Sequence, residues 1–223
     1  MIDFDDVCYA YDGEPVLRHA SFHIKKGETV VLRGPNGAGK STLLRMLNGL
    51  IYPELGTYQF CGTEITAAKM REHRYAKWFH QQMGFVWQNP DAQLFCGSVA
   101  EELAFGPEQM GLSAAEVKNR VEDALELLGL AHLRGRAPYT LSGGEKKKTA
   151  IASILTMNPS IWTFDEPLSA LDEKSQAWLC DFLQALKDAG KTLIIATHDV
   201  SLASTLADKT LTIHADHSVE LSA

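Results

Sequence analysis

Four cysteines in 223 residues, Cys8, Cys61, Cys96 and Cys180, form no CxxC pair, and this spacing argues against a zinc site or a disulfide scaffold. They are expected to be reduced thiols in the core, where free cysteine most often lies. No apolar run approaches the ~18 to 20 residues that a membrane-spanning helix needs. The start, Met-Ile-Asp-Phe-Asp-Asp, is acidic where a secretory signal is basic and then apolar. The chain also lacks an excess of positive charge: 21 Lys and Arg against 28 Asp and Glu give a net charge of −7, so no global field recruits nucleic acid. Internal repeats, low-complexity tracts and linkers are missing too. What is there is 45% hydrophobic and 22% charged, the composition of a globular protein, at a length that suits one domain or one domain with an inserted lobe.

Apolar runs with β-branched residues predict strands over Ile2–Val7, Ser21–Ile24, Thr29–Leu32, Thr57–Phe60, Met83–Val86, Ile161–Phe164, Thr192–Ala196 and Thr210–His214. Helical patterns cover Lys40–Leu50, after a glycine-rich turn, and Ser175–Ala189, which stops at Gly190. Ser113 and Glu116 form a capping box for a helix to Leu128 whose apolar face carries Val117, Val121, Ala124 and Leu128. That helix belongs to a stretch, about 89–158, without a convincing strand, which reads as an all-helical lobe inserted into an α/β sheet within one compact unit, 1–223.

Gly34-Pro-Asn-Gly-Ala-Gly-Lys-Ser-Thr42 matches G-x-x-x-x-G-K-[ST] and lies between a short apolar strand and an amphipathic helix, where that motif must lie. Glycines 34, 37 and 39 let the backbone curl so that successive N–H groups point at phosphate oxygens. The helix from Lys40 aims its positive end at the same anion. Lys40 would reach the β- and γ-phosphates, Ser41 would ligate Mg²⁺ and Thr42 would bind the α-phosphate.

Ile161-Trp-Thr-Phe-Asp-Glu166 is a buried-strand pattern ending in two acids, and a strand end at the carboxyl edge of a parallel sheet opens onto the ligand crevice. Asp165 is therefore the candidate Mg²⁺ carboxylate and Glu166 the candidate base that orients the attacking water. Ser142-Gly-Gly-Glu145 opens a helix and offers a second anion site, for its own nucleotide or for a neighbour's.

Leu141-Ser-Gly-Gly-Glu145 downstream of the glycine-rich loop, followed by Ile161–Glu166, Ser169-Ala-Leu-Asp172 and His198, resembles the ATP-binding-cassette (ABC) ATPases over nearly the whole chain. The resemblance implies a P-loop NTPase core, with a mainly parallel sheet, flanking helices and a small antiparallel β part, carrying an inserted α-helical subdomain. It makes 34–42 the Walker A loop with Asn36 and Ala38 among its nucleotide contacts, Gln88 the Q-loop glutamine beside the metal, Leu141–Glu145 the signature, Ile161–Glu166 Walker B, Ser169–Asp172 the D-loop and His198 the switch histidine on the γ-phosphate. Tyr11 takes the place of the aromatic that stacks on adenine, worth about 0.5 to 1.5 kcal/mol; Tyr9 is the rival. The implied cofactors are ATP and Mg²⁺. The implied partners are a second ABC ATPase subunit, identical or paralogous, in a head-to-tail dimer, with Ser142, Gly143, Gly144 and Asp172 meeting the neighbour's nucleotide, and an integral membrane transport protein. The implied place is cytoplasmic, peripheral at the inner face of the membrane, with no nucleic-acid partner and no direct membrane insertion.

Glu145 stands where the family usually has Gln, and Lys146-Lys-Lys148 follow where a Gln-Arg pair commonly ends the run. The lysines are expected to offset the carboxylate and attract the partner's phosphates, or else to form a solvated basic run. A second basic cluster, Lys69, Arg71, Arg74 and Lys77 among Tyr75, Trp78 and Phe79, reads as a solvated helix face. Phe85-Val-Trp-Gln-Asn-Pro-Asp-Ala-Gln-Leu-Phe95, Glu101-Glu-Leu-Ala-Phe-Gly-Pro107 and Gly111-Leu-Ser113 look like the energy-coupling-factor ATPases, which power bacterial uptake of vitamins and of cobalt or nickel ions. Many of those carry a C-terminal extension, which a chain ending at Ala223 would lack. A non-transport cassette of the iron–sulfur assembly type and an exporter cassette share the same catalytic motifs and are the alternatives.

Overall fold

A computed structural model describes residues 1–222. In its first part come β1 (Ile2–Tyr11), β2 (Glu14–Ile24), β3 (Thr29–Arg33), α1 (Lys40–Leu47), β4 (Leu55–Phe60), β5 (Thr63–Glu64), α2 (Ala67–Met70), α3 (His73–Gln82) and β6 (Met83–Val86). There follow α4 (Val99–Met110), α5 (Ala114–Leu127), α6 (Gly143–Leu155), β7 (Ile161–Asp165), α7 (Glu173–Asp188), β8 (Thr192–Ala196), α8 (Val200–Leu206), β9 (Lys209–Ile213) and β10 (Val219–Ser222). Between β6 and β7 the described residues hold only helices and short 3-10 turns.

Two sheets organise these elements. One is antiparallel, in the order β2-β1-β4-β5; the other runs β10-β9-β3-β8-β7-β6 and is parallel except where β10 meets β9. Every residue of β7 and β8 is buried, as strands covered on both faces require. Their register decides where the site falls: Leu32 pairs with Ala196, and Ala196 with Asp165, so the carboxyl ends of β3, β8 and β7 finish level with one another.

α1 lies between the two sheets, where Leu43, Leu44 and Leu47 share a core with Phe4, Tyr58 and Phe60. The opposite face of the parallel sheet buries Trp162 and Phe164 against α7 and the helical segment, including Leu103 and Ile151. The helical segment reaches the sheet through α6, which passes so close to β6 that a Cβ on Gly84 would stand 2.4 Å from Ile154 Cγ2; glycine in a strand marks just such an approach. A buried polar chain ties the layers together. Asn48, at the end of α1, donates to Leu44 O at 2.7 Å and to Thr163 Oγ1 at 2.8 Å, and Thr163 donates to Gly84 O at 3.0 Å.

The structure differs from the sequence expectations in several places. β1 and β2 are longer than the apolar runs that mark them, because their outer halves form a bulged hairpin with Asp6 and His19 at positive φ and little buried surface; bulges break the alternation on which strand reading rests. α1 ends at Leu47, not Leu50, where Asn48 takes the cap and Gly49 turns at φ 67°. The cysteines are free, but none is a core residue: Cys61 is exposed and the other three are half-buried. No helix among the described residues is long and apolar enough to cross a membrane.

The Thr163 hydroxyl serves two partners, so Thr163→Val, which keeps the volume, takes one acceptor from the Asn48 amide and the hydroxyl donor from the Gly84 carbonyl. Urea unfolding is expected to show a loss of about 1 to 3 kcal/mol; an unchanged midpoint would show that the chain carries no stability.

Candidate active site

β3 leaves the sheet at Arg33 and the chain curls through Gly34–Gly39 into α1. The curl is sterically closed to side chains at both ends: a Cβ on Gly34, at φ 149°, would stand 2.3 Å from Ile213 O, and one on Gly39, at φ 114°, 2.7 Å from Val16 O. Gly39 caps α1 without a side chain, and the first turn of the helix holds no acid. Its amides thus keep their capacity for an anion. Lys40, the first residue of α1, is buried and donates to Gly34 O at 2.8 Å and to Pro35 O at 3.2 Å. Burial pushes its ammonium below the ordinary lysine value, while the Glu166 and Asp165 carboxylates act in the opposite sense.

The level ends of β3, β7 and β8 gather the remaining groups. A cleft of about 420 Å³ is lined by Asn36, Gly37, Gly39, Lys40, Ser41 and Thr42 from the loop and α1, by Gln88 beyond β6, by Asp165, Glu166 and Ser169 beyond β7, and by His198 beyond β8. Asp165 is buried at the end of its strand. Glu166 follows at φ 41°, a left-handed conformation that costs a non-glycine residue on the order of 1 kcal/mol or more and marks functional strain where it is observed. Its amide donates to Ala196 O at 2.9 Å, its Oε2 accepts from the His198 amide at 3.3 Å, and its buried Oε1 has no hydrogen-bond partner. His198 Nε2 stands 3.3 Å from that oxygen without the alignment of a hydrogen bond. The same Nε2 lies 3.0 Å from Lys40 Nζ and 2.8 Å from Asn36 Oδ1; an unprotonated Nε2 accepts from the lysine, and a protonated one donates to the amide oxygen.

Other residues singled out in the sequence lie outside this cleft. Tyr11 closes β1 at the hairpin tip, 40% exposed and edge-to-face with Tyr9 at 5.0 Å. Tyr9 packs against the core, which leaves Tyr11 as the open aromatic face, on the hairpin whose second strand borders the loop at Val16. Ala38 is buried beneath the loop, its carbonyl 3.3 Å from His217 Nδ1. Ser142, Gly143 and Gly144 open α6 and Asp172 caps α7 through Ser175 N at 2.8 Å; none of the four lines the cleft. Ser142 and Glu145 form a complete capping box, with Glu145 Oε2 accepting from both Ser142 N and Ser142 Oγ at 2.8 Å. These two bonds, the backbone one foremost, hold the Glu145 carboxyl below its ordinary range.

The three lysines after it do not act together toward an anion, contrary to expectation. Successive helix residues diverge by ~100°, and each finds a partner within the chain. Lys146 pairs with Asp91 at 2.7 Å, Lys148 sits 4.6 Å from the centroid of the Trp178 ring, and Lys147 turns inward to the carbonyls of Trp87 and Gln88. Burial pushes the Lys147 ammonium down to about 8, against the pull of Asp165. Sequence reasoning missed this inward lysine, although Lys147, Ile151 and Ile154 share the i, i+4, i+7 stripe that marks a buried helix face. In the other basic cluster, Phe79 and Trp78 pack around Phe60 at 5.3 and 5.6 Å, and Lys69 pairs with Glu72 at 2.8 Å.

Comparison with known proteins fits this geometry. The ABC transporter family profile matches residues 17–169. The nickel import ATP-binding protein LarO of Lactiplantibacillus plantarum is 44% identical over 220 residues, which cover 99% of this chain and 91% of that protein. Among solved structures, cbiO1 from Clostridium perfringens, part of the ABC transporter complex cbiONQ, superposes with a TM-score of 0.84 at 32% identity, covering 98% of this chain and 86% of that one. A dimeric ATP-binding cassette, MJ0796, in a post-hydrolysis state bound to ADP and Pi, superposes with a TM-score of 0.87 at 26% identity, covering 100% and 98%. Loop, acids and histidine meet on one P-loop fold, and with this likeness along nearly its whole length the chain belongs to the ABC transporter family, as an ATP-hydrolysing, ATP-binding subunit.

Proposed function

We propose that this cassette is one half of a head-to-tail ATPase dimer that powers an energy-coupling-factor importer, with a transition-metal ion as the solute class. The observation that carries the catalytic part is the convergence of Lys40, Ser41, Gln88, Asp165, Glu166 and His198 on one cleft at level strand ends. The likeness to a protein named for nickel import supports uptake over export and over a role in iron–sulfur assembly.

In this reading Lys40 and the first-turn amides of α1 take the β- and γ-phosphates, Thr42 takes the α-phosphate, and Tyr11 stacks on the adenine. Ser41, Asp165 and Gln88 border the same space and bring a hydroxyl, a carboxylate and an amide oxygen, hard donors with few carboxylates, which suits Mg²⁺ shared with a phosphate. Bound there, Mg²⁺ would supply neutralisation of phosphate charge. Glu166 Oε1, buried and unpartnered, is free to accept a proton from the attacking water, and the strained backbone holds it inward. His198 presents Nε2 to the γ-phosphate from beside Lys40.

The neighbour's role is supported by Gly143. It is the first residue of α6, and a Cβ there would meet nothing within 4 Å, so no close approach inside the chain calls for a glycine. Nothing among the described residues requires it, and close approach of another copy's phosphates would. For the membrane partner, a mostly apolar groove of about 310 Å³ between α3, α4 and α6 carries Phe95 and Phe105, 67% and 42% exposed and edge-to-face at 4.9 Å, with His80, Gln81 and Met157 around them. Exposed aromatics in a concave surface are what a docking helix covers.

Glu166→Gln is expected to bind ATP, accumulate closed dimers in sedimentation and lose turnover by a factor on the order of 10² to 10⁴; near-normal hydrolysis would move the base elsewhere. Glu145→Gln keeps the capping box but removes a charge beside the partner's phosphates, so the Michaelis constant for ATP should fall by roughly three- to tenfold, the weight of about 1 kcal/mol of screened repulsion. An unchanged constant and turnover would show that charge to be inert. Phe95→Asp should abolish co-purification with the membrane subunit from detergent extracts, and full retention would place the docking surface off this groove.

A further inference from the structure

Lys147 is 2% exposed, and its acceptors are two successive main-chain carbonyls, Trp87 O at 3.1 Å and Gln88 O at 2.8 Å. Burying an ammonium against neutral acceptors is costly, so the arrangement calls for a use. The two carbonyls belong to the peptide planes on either side of the Gln88 Cα. Peptide planes are rigid, and a residue has only two soft backbone torsions between them. An ammonium that grips both planes therefore fixes the direction in which the Gln88 side chain leaves the backbone. Gln88 borders the cleft, so the aim of its side chain depends on the backbone behind it.

The grip comes from α6, whose first turn is Gly143-Gly144-Glu145. Ser142 and Lys147 are five residues apart, about 7.5 Å along a helix, so a displacement of the Ser142 end is carried to Lys147 as rigid motion. A second fastener runs in parallel: Gln93 Oε1 accepts from Trp87 N at 3.2 Å while its Nε2 donates to Ala150 O at 2.8 Å, in the next turn of α6. The exposed Lys146–Asp91 pair adds little to this.

We infer that Lys147 is a positioning residue for the hydrolytic site: by pinning both peptide planes of Gln88 to the signature helix, it aims the Gln88 side-chain oxygen at the metal and passes movement of that helix to it. The inference rests on the reading of Gln88 as a Mg²⁺ ligand. The helix that meets one nucleotide at Ser142 thereby sets a ligand at the other.

The test is a titration of the full chain with Mn²⁺ in the presence of adenylyl imidodiphosphate, with bound metal counted by electron paramagnetic resonance. Lys147→Met is expected to weaken Mn²⁺ binding roughly tenfold, the usual effect of removing the support behind a metal ligand. Affinity for the nucleotide in EDTA should be unchanged, which separates positioning from a general loss of structure. Lys147→Gln, whose amide donates two hydrogens, should recover most of the affinity, and Lys147→Met combined with Gln88→Ala should be no weaker than Gln88→Ala alone. Normal Mn²⁺ binding by Lys147→Met beside a weakened Gln88→Ala would overturn the role of Lys147 and leave Gln88 as a ligand; normal binding by Gln88→Ala would overturn both. If Lys147→Met does not fold, Lys147→Ala, which lets water reach the two carbonyls, replaces it with the same outcomes.

Discussion

Leu32, Ala196 and Asp165 lie side by side at the carboxyl edge of three parallel strands, and the rest of the site hangs on that register. A strand slipped by one residue turns every side chain to the opposite face. Slippage of β7 would send Asp165 to the wrong side and Glu166 beyond reach of Ala196 O. The continuous burial of β7 and β8 resists this, because both faces of each strand are filled and no shifted pairing conserves the packing. The Asn48–Thr163–Gly84 chain adds a directional lock, since its hydrogen bonds join the helix that follows the phosphate loop to the strand that carries the acids. The distance from Lys40 to the carboxylates is thus set in the middle of the core, one layer below the groups that use it.

Charge is distributed sparingly around that frame. The cleft holds one buried ammonium, two acids and a histidine whose Nε2 lies between a lysine donor and an amide acceptor. Lys40 satisfies itself on loop carbonyls, which are weaker acceptors than phosphate oxygens, so an anion entering the cleft meets a cation whose present bonds are readily exchanged. Glu166 is the opposite case. Its backbone is strained and one oxygen is left without a partner, a cost borne by the fold around it.

Most of this is legible in the sequence because phosphate binding uses backbone geometry, and backbone geometry is written in glycines. The motif alone marks Gly34 and Gly39 as obligatory, and the contacts with Ile213 O and Val16 O give the reason. The buried runs at Ile161 and Thr192 are equally legible, since strands covered on both faces carry unbroken apolar residues. The outer halves of β1 and β2 are not: bulges at Asp6 and His19 destroy the alternation, and the surface they bury is small. Cysteine burial is misjudged because a statistical preference says nothing about four particular positions. The convergence of Gln88 with Asp165 on one cleft follows from strand order, with β6 and β7 adjacent, which residue spacing does not specify and only the family resemblance implies.

Lys146, Lys147 and Lys148 show where reading by composition fails and reading by period succeeds. As a run of three like charges they suggest one basic surface. Wound into α6 they point in three directions: to an exposed carboxylate, to the interior and to an indole face. The middle one occupies the same stripe as Ile151 and Ile154, so its surroundings follow from spacing alone, and a lysine there has two courses, to lose its proton or to find acceptors. Backbone carbonyls just beyond the end of β6 supply them. A cluster that looks like an electrostatic lure for phosphate is then three separate contacts between α6 and its neighbours, and the charge left facing outward at the start of that helix is the carboxylate of Glu145, held low by the very serine it occupies.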